Sequence, residues 1–235
     1  MVAGLSAALV LGTGASGSIG DDDDRMRWDL VNINFTTGTV SAGGVASARA
    51  SDGSKITLTG SGRFNPQSAV GRWAGGGGTW TTFSAAGAVT GSGTYRVTDF
   101  VTFAPAPGTL PVPNDAIGSP ADARAGLLTV AVRYSGGERG VLTISCHLVG
   151  TPDTLFEGIT TTKGAAAYWN PEVPPAPPGN GNRTLFHVLD DDDDDDVRAT
   201  VISAITHGPT APGRDVDRKV RQLDAAPGGT RQLNR

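Results

Sequence analysis

The chain has 235 residues and a formal net charge of -4, with charged side chains making up 18% of it, below the roughly 25% usual for soluble domains. Its 34 glycines argue against a helical protein, because glycine is among the poorest helix formers. Two pure aspartate runs, Asp21, Asp22, Asp23, Asp24 and Asp190, Asp191, Asp192, Asp193, Asp194, Asp195, Asp196, hold 11 of the 23 acids. The remainder is therefore basic, yet no basic stripe with interleaved aromatics marks a nucleic-acid binder.

Residues 5–11 are a short apolar stretch and residues 12–20 are small, which together match an export signal at 1–20 without its basic front. The stretch falls short of the roughly 20 apolar residues of a membrane-spanning helix, so no transmembrane segment is expected. The expected location is secreted, cell-surface or periplasmic. The preference for Arg over Lys, with only Lys55, Lys163 and Lys219 present, suits a bacterium with a GC-rich genome. An acidic linker at 21–26 then leads into a β domain at 27–189. The acidic run and tail at 190–235 lack apolar periodicity and are expected to be disordered.

Within 27–35, Val31, Ile33 and Phe35 alternate with Asn32 and Asn34, the two-residue period of a half-buried strand. Further strands are expected at 40–50, 54–64, 79–83, 93–103, 127–134, 141–149, 155–169 and 183–189. Short turn signals separate several of them, including Ser51-Asp52-Gly53 and Ser135-Gly136-Gly137-Glu138. Such connections join antiparallel neighbours. The predicted fold is an all-β, antiparallel up-and-down meander closing into a small barrel of about eight strands, with a β-sandwich as the alternative. Glycines stand just before aromatics at Gly62-Arg63-Phe64, Gly78-Thr79-Trp80 and Gly93-Thr94-Tyr95, as in strongly coiled strands. Two long connections, 104–125 with five prolines and 171–182 with two Pro-Pro pairs, are candidate covers over a barrel mouth or plain spacers.

Candidate chemistry is sparse. Cys146 shares one face of its strand with Leu142, Ile144 and Leu148, so it is expected in the core, with the neighbouring His147 on the opposite face. His147, His187 and His207 show no zinc-ligand spacing. Asp99, Glu157 and His187 lie in otherwise apolar or Thr-rich strands and are the candidates for a polar cavity. Antiparallel pairing of the first and last strands would bring the two aspartate runs to one end of the barrel, where eleven carboxylates could attract Ca2+. The function expected from these features is that of an exported, non-catalytic binding or structural module that takes a small apolar ligand or associates with itself. The alternatives are a barrel enzyme of isomerase or cyclase type, or a calcium-stabilised subunit of an extracellular assembly.

Overall fold

The computed structural model describes residues 25–67 and 71–189. The leader, both aspartate runs, His207 and the tail lie outside the described residues. Within them the fold is all-β without helices. Its strands are β1 (Met26–Asn34), β2 (Thr39–Ala42), β3 (Val45–Arg49), β4 (Lys55–Thr59), β5 (Ser61–Asn65), β6 (Trp73–Phe83) and β7 (Val89–Ala106). The second half holds β8 (Asn114–Asp115), β9 (Ala123–Tyr134), β10 (Arg139–Cys146), β11 (Gly158–Lys163), β12 (Ala166–Tyr168), β13 (Asn170–Pro171) and β14 (Thr184–Val188).

Six of these close into an antiparallel barrel in the order β1, β5, β6, β7, β9, β14 and back to β1. The expected barrel is present, with six strands in its wall instead of about eight. The remaining strands extend outward, β10 to β12 from β9 and β4 and β3 from β6. The first and last strands pair as expected, Met26 opposite Val188, and Leu189 N–H donates to the Arg25 carbonyl.

A barrel this narrow needs its strands to cross almost backbone to backbone, and glycine permits that. A Cβ on Gly77 would sit 2.2 Å from the Tyr95 carbonyl oxygen, and one on Gly62 would sit 2.0 Å from that of Gly75. β6 therefore begins at Trp73, well before the expected residue 79. The expected strands at 40–50 and 54–64 each divide, at Gly43-Gly44 and at Gly60. Gly43 takes a φ of +86°, and a Cβ on Gly60 would meet the Tyr95 hydroxyl at 2.3 Å.

Inside, the barrel is filled by side chains. Trp28, Phe64 and Phe186 are fully buried, and Phe64 packs edge-on to Phe186 and tilted against Phe103, with ring centroids 6.0 and 5.0 Å apart. At the other end, Trp80 meets Tyr134 edge-on at 6.1 Å and Lys163 lies over the Trp80 ring at 4.2 Å. Burial pushes the Tyr134 phenol up to about 12. Cys146 is buried with Leu142, Ile144 and Leu148, and burial pushes its thiol well above the ordinary value. A thiol reagent should therefore label Cys146 slowly in the native protein and quickly after denaturation; equal rates would place the thiol at the surface.

The connection expected at 104–125 is shorter, 107–122, because Ala104 to Ala106 pair with Leu127 to Ala125 as strand; it forms a strap across the barrel. Thr109 bridges to Val149, β8 pairs in parallel with β2, and Asp115 accepts a hydrogen bond at 2.7 Å from, or donates one to, His187 Nε2 of β14. The second connection is tied down at its ends, where Pro171 pairs with Ala48 and the Asn182 N–H donates to the Val45 carbonyl.

Candidate functional site

The site arises where β9 changes partners along one edge. It pairs with β14 through Ala123 and Arg124, then with β10 from Gly126 onward. The two partner strands must part at this fork, and backbone groups there lose the ladder neighbours they would otherwise have. A buried backbone group left unpaired costs about as much as a lost hydrogen bond, so side chains take over. Thr184 Oγ1 donates to the Ser145 carbonyl at 2.7 Å, and Cys146 Sγ donates to the Thr184 carbonyl at 3.2 Å. Glu157 joins the two arms, its Oε2 accepting from His147 N–H and its Oε1 from Thr184 N–H and hydroxyl.

Beside this fork, between β1, β2 and the strap, opens a cleft of about 400 Å³, within the range of small-molecule sites. Its apolar wall comes from Ile33, Val40, Leu110, Val112 and Leu148. Its polar wall comes from His147, Asp153, Glu157 and Arg183. Leu155 fixes the imidazole of His147, because a carbonyl oxygen can only accept: the 2.7 Å contact with Nδ1 puts the proton there. In that tautomer Nε2 is an acceptor.

Arg183 supplies the complementary group. Its guanidinium stacks over Phe35 at 5.4 Å and one terminal nitrogen donates to the Pro175 carbonyl at 3.2 Å. Its Nε is buried with no hydrogen-bond partner among the described residues. Burial pushes the Glu157 carboxyl up to about 8, against the two backbone N–H groups, the Thr184 hydroxyl and the Arg183 charge, which all pull it down.

No family model matches this chain, and no curated protein or solved structure is significantly similar to it. The site must be judged on its own geometry.

The three cavity candidates from the sequence do not form one constellation. Glu157 reaches the cleft. His187 is 2% exposed and sealed under the strap, bonded to Asp115, with no partner for Nδ1 among the described residues. Close by, Asp29 is held by Arg27 through contacts of 2.6 and 2.9 Å, and burial raises its carboxyl. Asp99 faces outward beside a bulge of β7 and is exposed. That is a correction to its place among the cavity candidates, and the bulge is the cause: the extra residue shifts the strand's facing where alternation alone would be followed.

Among the described residues, no three His, Cys, Asp or Glu side chains converge as a metal site; the aspartate runs considered for Ca2+ lie outside those residues. Sequence patterns do not single out Arg183 or Asp115. Asp115 stands within a Pro-rich connection and Arg183 at a strand end, and only the fold shows what they face.

Proposed function

We propose that this chain is a non-catalytic binding module of the cell exterior that holds a small, largely apolar molecule carrying one hydroxyl or carbonyl group. The cleft supports this reading through one observation above all: an apolar wall of Ile33, Val40, Leu110, Val112 and Leu148 shares the cavity with the polar side chains His147 and Arg183. Apolar surface supplies affinity, and a few fixed polar groups orient the ligand. A hydroxyl head could accept from Arg183 and donate to His147 Nε2. Catalysis by Glu157 is the weaker reading, because its oxygens already hold the two arms of the fork together. Export rests on the apolar and small-residue segments at 5–20.

Calorimetric titration with 1-octanol tests the proposal, with octane-1-sulfonate as a chain-matched comparison. Binding of the alcohol should stabilise the fold, by about 2.7 kcal/mol at a hundred times its dissociation constant. Filling the cleft by Ile33→Trp, or separately by Val112→Trp, should abolish the heat while leaving the circular dichroism unchanged. Octanol binding that survives both substitutions would place the ligand elsewhere and remove the cleft from the proposal.

A further inference from the structure

Across the outer wall, the register sets three arginines side by side. Arg96 of β7 lies opposite Arg133 of β9, and Arg133 lies opposite Arg139 of β10. Their neighbours Val97, Val132 and Tyr134 point into the core, so by alternation the arginines point out, and all three are exposed. Directly opposed residues on antiparallel strands have Cα atoms about 4.5 to 5.5 Å apart, and like charges so placed repel. None of the three makes an ion pair with a described residue. Glu138, next to Arg139, is engaged by Lys163. Asp99 is the carboxylate nearest in register, opposite Ala131 and one row away from Arg133, and it makes no ion pair with the row. Thr79 and Thr94, opposite each other in the next row, place hydroxyls alongside.

A row of exposed cations that the fold leaves uncompensated fits a ligand with closely spaced anions, and guanidinium groups grip carboxylates bidentately. The chain carries such a ligand in its own sequence: seven consecutive aspartates follow Leu189. In the same molecule the run is too short. His187 is opposite Ala123, and Arg133 stands ten residues further along β9, about 33 Å away at strand spacing. Nine extended residues, which end at Asp196, span at most about 32 Å. Only the last aspartate could approach the row.

We propose that Arg96, Arg133 and Arg139 form a docking row for the aspartate run 190–196 of a second copy of this chain. The contact is head to tail, with different surfaces on the two copies, so it extends into chains or closes into a ring, the smallest of which is a dimer with the two tails exchanged.

Light scattering on the full chain after size exclusion tests this. At low ionic strength the protein should run as oligomers, and at ~1 M salt, where the screening length is about 3 Å, it should run as a monomer. A triple variant, Arg96→Gln with Arg133→Gln and Arg139→Gln, should stay monomeric, as should a variant with residues 190–196 replaced by Ser and Gly. Mixed, the two should form a one-to-one complex, since each retains the half that the other lacks. A hepta-aspartate peptide should dissolve the wild-type oligomers, which keeps the test sound even if the triple variant fails to fold. A wild-type protein that is monomeric at low salt overturns the proposal. So does a mixture that stays monomeric, or a row that binds a sulfated polysaccharide and ignores the peptide.

Discussion

Gly78→Ala is expected to destabilise the fold by about 3 kcal/mol, the upper part of the range for forced overpacking, and to lower Tm by roughly 6 to 12 °C for a domain of this size. The added methyl would meet the Thr59 carbonyl oxygen at 1.9 Å, its carbon at 2.6 Å and the Gly60 Cα at 2.7 Å. All three are backbone atoms of the neighbouring strands, so no rotamer change relieves the contact. Gly137→Ala is the control. There φ is +94° and nothing lies within 4 Å of the new carbon, so only backbone strain of about 1 kcal/mol is at stake. Thermal melting of the two variants separates close approach from strain. A Gly78→Ala protein that melts within about 2 °C of the wild type would mean that β4 and β6 can move apart, and the close approach of Thr59 to Gly78 would be wrong.

That glycine run also shows where sequence patterns stop being informative. Residues 76–78 carry no alternation, yet each lies hard against neighbouring backbone, because contact between backbones leaves no side chain to make a pattern. By contrast, Leu142, Ile144 and Cys146 face a side-chain core, and the two-residue period places them correctly. The excess in the expected strand count has a similar cause. β9 pairs with β14 and β10 in succession along one edge, and a fork of this kind leaves no local mark.

The candidate site is legible to the same degree. Glu157 stands out in a Thr-rich segment as a charged group that burial would disturb, but its work at the fork depends on His147 and Thr184 arriving from strands that are distant in sequence. His187, flanked by apolar neighbours in the sequence, is a hydrogen-bonded, buried imidazole, with Asp115 as a partner supplied by the strap. The arginine row is invisible in the sequence because Arg96, Arg133 and Arg139 are far apart in the chain and only the register of three strands aligns them.

The pH dependence of stability should expose Glu157 directly. Its carboxyl is raised from the ordinary 4.5 to about 8 in the folded protein, so between those values the native state keeps a proton that the unfolded chain has released. Stability from this group is therefore fully present below about pH 4.5, falls as pH rises toward 8, and is level above it. A tenfold difference in proton affinity between the folded and unfolded states corresponds to about 1.4 kcal/mol, and with allowance for partial exposure of the residue the loss should be on the order of 2 kcal/mol. Glu157→Gln removes the titration and sets an amide N–H against one of the two backbone donors, at a cost of about 1 to 3 kcal/mol at every pH. Asp29, whose carboxyl is also raised, titrates in both proteins and cancels in the difference. Urea unfolding of wild type and variant at pH 5 and pH 8.5 should then show the wild-type advantage shrinking as pH rises. An advantage that stays level between pH 5 and pH 8.5 would mean that the His147 and Thr184 N–H groups outweigh burial and hold Glu157 ionised throughout that range, with its carboxyl at or below the ordinary value.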